Sequence, residues 1–236
     1  MDDKKVNHIG VIMDGNRRYA KNHSKKLYDG YLQGAQKAYD IVEWCCEENI
    51  KEITLYTFSL ENACNRSVVE KKILEKLFCT TFTNLLANKK IKENEVKIRF
   101  IGRRSIISKE LKKIIEKIED KTKNYKKITV NIAFYYSGRG ELVDAVRQMI
   151  DDARTGKLKK EDIDEDTVKK YTYLPESSYP EIILRTGYNR RLSNFLLWHC
   201  AYSEIYFIDK LWPQLQKQDL IDAIKKYENT EKNLGE

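Results

Sequence analysis

Short runs of apolar, largely β-branched residues recur along the chain. Each is broken by polar turn residues, and a stretch with helical spacing usually follows. The first run, Val6-Asn7-His8-Ile9-Gly10-Val11-Ile12-Met13, stops at Asp14-Gly15-Asn16. The second, Ile53 to Phe58, stops at Ser59-Leu60-Glu61-Asn62, and the third, Val96 to Ile101, at Gly102-Arg103-Arg104-Ser105. The fourth, Ile128 to Phe134, gives way to Ser137-Gly138-Arg139-Gly140, and the fifth, Ile182-Ile183-Leu184, opens directly onto Arg185. Runs apolar at nearly every position predict strands buried on both faces. Between them the spacing predicts helices over about Gly34 to Glu48, with a stripe at Ala38, Ile41, Val42 and Cys45, and over about Val69 to Asn88. Two more are predicted over Ser108 to Tyr125 and Glu141 to Arg154, and Thr155 to Tyr179 reads as a connection. Strand–helix alternation of this kind predicts an α/β fold with a mostly parallel central sheet flanked by helices. Only three prolines occur and no Gly/Ser-rich linker divides the chain, so residues 1–236 are expected to form a single domain.

Right-handed crossovers gather the carboxyl ends of parallel strands on one edge of the sheet, where open α/β folds place their ligands. Four of the predicted ends carry groups able to grip a phosphate. They are Asp14, Asn16 and Arg18; Ser59, Asn62 and Arg66; Gly138 and Arg139; and Arg185, Arg191 and Ser193. Singly, each has an ordinary explanation, since Asp-Gly-Asn is common turn chemistry and a basic loop is commonly just solvated. Their recurrence on one edge predicts a polyanion site, with arginine forks as the donors.

Composition narrows the picture only a little. The net charge of +8, from 44 basic and 36 acidic residues, is spread over Lys-rich helical segments and selects no partner class. With no stacking-platform motif, nucleic acid is not an expected partner. The five cysteines form no C-x-x-C pair, so neither a zinc ribbon nor a disulfide framework is indicated. The polar start Met1-Asp2-Asp3-Lys4-Lys5 and the lack of a run long enough to span a membrane lead to the expectation of a reduced, cytoplasmic protein. There is no P-loop and no dinucleotide fingerprint after the first strand. His8, His23 and His199 read as structural. What remains is a carboxylate at a strand end, Asp14, a second, Glu204, after the Arg cluster, and several arginines. That set suits a diphosphate bound with Mg²⁺.

The residues also carry a resemblance. His8 to Ala20, with Met13-Asp14-Gly15-Asn16-Arg17-Arg18 at its centre, resembles the first signature of the cis-prenyltransferase family, typified by undecaprenyl diphosphate synthase. Ser59-Leu60-Glu61-Asn62, followed by Arg66 and Glu70, is similar to its S-x-E-N…R motif. Phe100-Ile101-Gly102, Asn131-Ile132-Ala133…Gly138-Arg139, and Arg185-Thr186-Gly187 through Trp198 with Glu204 resemble three further motifs in the expected order. The resemblance implies a dimeric α/β fold with a hydrophobic tunnel, joining an allylic diphosphate to isopentenyl diphosphate through a Z double bond. It implies that Asp14 holds Mg²⁺ and the allylic diphosphate, with Glu204 as second metal contact. Gly15, Arg17 and Arg18 would cradle that diphosphate, and Asn16 would stand near the proton to be lost. Ser59, Asn62 and Arg66 would complete the catalytic edge, and Arg185, Arg191 and Ser193 would bind isopentenyl diphosphate.

Departures from the family pattern refine the expectation. Leu27 and Tyr31 stand where members carry an Arg and a His that contact diphosphate, which makes Tyr31 a substrate-binding candidate. Tyr188-Asn189 replaces a common Gly-Glu, and Asn233-Leu234-Gly235 replaces an Arg-x-Gly that reaches across the dimer. Phe134 and Thr57 stand where smaller residues are usual, so a short product is expected, roughly ten to twenty carbons. A long product would instead bring peripheral membrane contact. Two other readings stay open: head-to-middle condensation of two allylic diphosphates, and a non-catalytic partner subunit.

Overall fold

The computed structural model describes residues 5–230, so Asn233-Leu234-Gly235 lies outside the described residues. Its centre is a six-stranded sheet, parallel at every pairing, in the order β3-β4-β2-β1-β5-β6. The strands are β1 (His8–Ile12), β2 (Glu52–Ser59), β3 (Val96–Ile101), β4 (Ile128–Tyr136), β5 (Ile182–Thr186) and β6 (Glu204–Ile208). The helices are α1 (Asn16–Asn22), α2 (Leu27–Glu47), α3 (Leu60–Asn65), α4 (Val68–Ala87), α5 (Lys89–Glu93), α6 (Lys109–Thr122), α7 (Gly138–Arg154), α8 (Glu165–Tyr171) and α9 (Lys217–Asn229).

All five expected strands and all four expected helices are present, and the period-two pattern decides which residue faces which layer. Ile9, Val11, Ile53, Leu55, Val130, Ile132, Ile182 and Leu184 enter the core shared with α2, α4, α6 and α9. Ile12, Ala133 and Ile183 face the other way, onto Leu174, Phe195 and Leu196.

Differences from expectation have identifiable causes. Helix α2 begins at Leu27, ahead of Gly30 and Gly34, residues that disfavour a helix interior. Packing overrides that preference: a Cβ on Gly30 would lie 2.7 Å from the Ala20 Cβ, and one on Gly34 would lie 2.1 Å from Asn16 Oδ1. Strand β6 was not expected, because it is a half-exposed edge strand without a continuous apolar run. Beyond it, α9 buries Leu220, Ala223, Ile224 and Tyr227. Near the end of β2 the register slips, so that Tyr56 pairs with Ala133 but Phe58 with Phe134. The extra residue, Thr57, forms a bulge, and Tyr135 in the left-handed region (φ 50°) restores the register.

A polar network closes the amino-terminal half of the sheet. Asn131 Nδ2 donates to Glu52 Oε1 (2.6 Å) and Thr54 Oγ1 (3.0 Å), and Arg99 Nε donates to Asn131 Oδ1 (2.9 Å). His8 is fully buried within it, between the Ser178 carbonyl and Thr54. His199 is buried as well, with Nε2 against the Leu174 carbonyl and Nδ1 without a partner.

Burial lowers the pKa of His199 from 6.5 to about 4, so the folded protein holds a neutral ring where the unfolded chain would bind a proton. Its contribution is therefore complete above pH 6.5 and is lost as the pH falls toward about 4. Urea unfolding of the wild type between those limits should show stability falling with acid. His199→Asn should flatten the slope, and an unchanged slope would contradict the assignment.

Candidate active site

The strand order places β1 between β2 and β5, and the chain leaves β1 toward β2 on one side and leaves β5 toward β6 on the other. The β1/β5 boundary is thus the switch point of the sheet, where a crevice opens at the carboxyl ends. Asp14 leaves β1 there, and Arg185 is the fourth residue of β5. Arg185 is only 3% exposed. Burial lowers its pKa, and the Asp14 carboxylate works against that shift. Its Nη2 donates to Asp14 Oδ2 (3.1 Å), and its Nη1 donates to Ser193 Oγ (2.8 Å) and to the Arg191 carbonyl. Asn189 Nδ2 donates to the same Asp14 oxygen (2.9 Å), and Arg18 Nη2 lies 3.2 Å from Asp14 Oδ1.

The Asp14 main chain is held as firmly as its carboxylate. Its carbonyl accepts from Thr186 Oγ1 (2.8 Å) and from the Trp212 backbone N–H (3.0 Å). Gly15 then turns the chain at φ 122°, where a Cβ would meet Leu211 Cα at 2.9 Å. Helix α1 starts immediately with no side-chain cap, leaving its first backbone N–H groups available beside Arg18.

The loop after β5 is tightly wound, with Tyr188, Ser193, Asn194 and Leu196 all in the left-handed region. Asn194 pins it. Its Nδ2 donates to Glu61 Oε1 (2.7 Å) and Ser137 Oγ (2.7 Å), and its Oδ1 accepts from the Arg139 N–H (2.8 Å). Arg191 stays exposed, with Nε 3.2 Å from Ser193 Oγ. Asp14, Arg18, Arg185, Asn189, Arg191 and Ser193 therefore form one basic pocket around a single carboxylate.

A second cluster lies on the other side of α1. Arg66 donates to the Tyr31 hydroxyl and to Glu70, and its guanidinium sits 5.5 Å from the Tyr31 ring centre. Arg17 Nε is 3.8 Å from Glu70 Oε1. Burial, the largest cause, raises the Tyr31 pKa, keeping the hydroxyl protonated. Asn16 lies between the clusters, its Oδ1 buried without a partner.

Asn16, Tyr31 and Arg66 rim a cavity of about 810 Å³ that runs between α2 and α4 across β2, β4 and β3. The β2 bulge shapes its wall: consecutive strand residues normally face opposite sides, yet both Thr57 and Phe58 line this space. The hydrophobic tunnel expected from the sequence is thus present.

Two expectations require correction. Glu204 does not join Asp14 within the chain. It opens β6 in register with Ile182, which is in register with Ile9. At ~3.3 Å per residue it stands roughly 15 Å below Asp14, on the opposite edge of the sheet. Among the described residues no group of three or more His, Cys, Asp or Glu forms a metal cage. Phe134 does not line the tunnel; it lies behind it, its ring edge-on to Phe78 (4.8 Å) and Phe82 (5.4 Å), which do. Ser59, at the carboxyl end of β2, caps α3 by accepting from the Asn62 N–H (3.0 Å), and Asn62 is exposed on that helix. The sequence reading also missed Asn189, Asn194, Thr186 and Trp212, which hold Asp14 and its loop. Asn189 lay in plain view within the Arg cluster, but only the loop's winding turns it onto Asp14.

The donor set fits one Mg²⁺ with a diphosphate. A carboxylate has about four lone-pair sites. Arg18 faces Oδ1 as an ion pair at 3.2 Å, and Arg185 and Asn189 donate to Oδ2. One site on Oδ1 remains, and Mg²⁺ is commonly held by one carboxylate together with phosphate oxygens and water.

Comparison with known proteins yields the same family at several levels. The prenyltransferase family model for undecaprenyl diphosphate synthase matches residues 12–235. Over 228 residues the chain is 41% identical to a tritrans,polycis-undecaprenyl-diphosphate synthase (geranylgeranyl-diphosphate specific) of Methanopyrus kandleri, covering 97% of this chain and 84% of that one. Among solved structures it is similar to lavandulyl diphosphate synthase from Lavandula x intermedia in complex with dimethylallyl diphosphate (TM-score 0.91, 27% identity, all of both chains). It is also similar to a probable undecaprenyl diphosphate synthase from Campylobacter jejuni (TM-score 0.80, 31% identity, 99% of this chain and 100% of that one).

Gly187 tests the pocket's geometry. At φ 92°, a Cβ there would lie 2.7 Å from Arg18 Nη2 and 2.8 Å from Asp14 Cγ. Gly187→Ala should push the two apart and weaken inorganic pyrophosphate binding, measured by calorimetry with Mg²⁺, about tenfold (~1.4 kcal/mol). Unchanged affinity would argue that the pocket is not an anion site.

Proposed function

The chain belongs to the undecaprenyl diphosphate synthase family of prenyltransferases, and from that premise we propose that it transfers an allylic prenyl group to isopentenyl diphosphate, giving a Z-prenyl diphosphate. The observation that carries this reading is the junction of an arginine-rich pocket around Asp14 with an apolar tunnel of about 810 Å³. One end suits a diphosphate and the other a hydrocarbon chain. Substrates of this enzyme class are allylic and isopentenyl diphosphates. The curated relatives' specificity for geranylgeranyl diphosphate supports that compound as the primer here.

In the proposed reaction the allylic C–O bond breaks, C4 of isopentenyl diphosphate joins the allylic carbon, and a proton leaves C2. Arg18 and the first N–H groups of α1 hold the departing diphosphate, whose growing charge these fixed donors stabilise. Mg²⁺ bound at Asp14 would neutralise part of the same charge. Arg185 keeps Ser193 and Arg191 in place for the second diphosphate. Asn16, with an unpartnered oxygen at the tunnel mouth, orients the carbon that loses its proton. Arg66, tied to Tyr31 and Glu70, sets the rim where head and tail meet. The tunnel of about 810 Å³ receives the growing hydrocarbon chain.

A homodimer is the proposed assembly, supported by the apolar stripe Val143, Val146 and Ile150 that α7 leaves exposed. No helix among the described residues is long and apolar enough to cross a membrane, and a cytoplasmic location is proposed. The likeness to lavandulyl diphosphate synthase keeps head-to-middle condensation as a second reading.

Incubation with labelled isopentenyl diphosphate, geranylgeranyl diphosphate and Mg²⁺ should yield labelled prenyl diphosphate. Asp14→Asn should lower the rate on the order of 10²- to 10³-fold, the usual cost of losing one such electrostatic contact. Turnover of dimethylallyl diphosphate alone would favour the second reading, and no condensation with any allylic primer would overturn both.

A further inference from the structure

We propose that Glu43 and Lys90 form a gate at the far end of the tunnel and that this gate governs how far the product grows, an inference that rests on the prenyl-transfer reading. Near Asn16 the tunnel passes between apolar side chains of α2, α4 and the sheet. Its far end is mixed: Glu43, Asn84, Asn88, Lys90 and Asn94 join Cys46, Leu85, Ile91 and Val96 in the lining. The exposed Glu43 and Lys90 side chains bring water to this rim, where a hydrocarbon chain loses part of its apolar wall.

The ion pair crosses that rim. Lys90 Nζ lies 2.7 Å from both carboxylate oxygens of Glu43, tying α5 to α2. The two side chains are 60% and 40% exposed, so the pair is hydrated on its outer side. Exposed pairs separate easily, which makes this a gate that can part and not a fixed plug. Helix α5 is a single short turn between α4 and β3, with Asn88 accepting the Lys90 N–H (2.9 Å) at its start. The wall nearer the mouth is tied by another contact, the Tyr39 hydroxyl on the Thr81 carbonyl (3.4 Å). Once the chain fills the apolar part, the next prenyl unit must enter between a carboxylate and an ammonium. Each further condensation then competes with release of the diphosphate product, and the pair weights that competition toward release.

Two measurements on the full-length protein test this. Chromatography of dephosphorylated products compares wild type, Glu43→Ala, Lys90→Ala and the charge-reversed Glu43→Lys/Lys90→Glu protein. Either single variant should shift the ratio of successive products two- to fivefold toward longer chains, the scale of one exposed ion pair, and the double reversal should restore the wild-type ratio. Separately, prenyl alcohols of increasing length are titrated by the fluorescence of Trp212, which lines the cavity. Affinity should rise with each unit and level off, later in the single variants than in the wild type. The same levelling point in all four proteins, or a double reversal that behaves like the single variants, overturns the gate. If the alcohol series behaves as expected while no protein condenses its substrates, the gate stands and the prenyl-transfer reading falls.

Discussion

The pairing of Arg185 with Asp14 across the β1/β5 boundary is the constraint on which the site depends. A guanidinium this deeply buried is costly unless its donors are taken, and breaking such a pair leaves an uncompensated charge. Here one fork supplies Asp14, Ser193 and the Arg191 carbonyl together. The strand that carries Arg185 thereby fixes both the carboxylate opposite and the loop that follows. Thr186 and Trp212 secure the main chain of Asp14, so the carboxylate is positioned by the sheet and by the segment before α9. Arg185 Nε stays without a partner, and the exposed Arg191 and half-buried Arg18 keep the pocket basic. An anion entering it meets donors already in place.

This charged end acts on a hydrocarbon only because a tunnel begins beside it. Helices α2 and α4 do not close over β2, β4 and β3, and the bulge at Thr57 turns two successive residues into the gap. Phe58, Phe78 and Phe82 line it, and behind them Phe134 sets its ring edge-on to Phe78 and Phe82, a stiff wall for a flexible chain. The close approach of α1 to α2, which only glycines at 30 and 34 allow, sets Asn16 between pocket and tunnel. Head and tail are thus held by separate layers that meet at the rim formed by Asn16, Tyr31 and Arg66.

Where the chain departs from the family pattern, it rebuilds contacts. Tyr31 shares Arg66 with Glu70 at the tunnel rim, and Asn189 donates to Asp14. At both positions a polar side chain meets a charged partner within the chain, Arg66 for Tyr31 and Asp14 for Asn189.

The sequence by itself determined the architecture and the address of the site. Near-continuous apolar runs ending in polar residues permit little besides a parallel sheet with its chemistry on one edge. Asp14, Arg18 and Arg185 could be assigned there because each follows its strand, and Arg66 because it follows the turn after β2. Tertiary structure decided the rest. Glu204 is polar and follows the Arg cluster in sequence, but it precedes its strand, and β6 lacks the apolar run that would have revealed this. A residue before a parallel strand lies at the opposite edge from one after it, so the register alone parted Glu204 from Asp14. Phe134 faces the tunnel's layer, yet Phe78 and Phe82 stand in front of it, an ordering that depends on how α4 packs. Asn189 reaches Asp14 only because its loop winds through left-handed turns held by Asn194. Periodicity records which face a side chain is on; how far along that face, and behind what, is settled by the packing of elements distant in sequence.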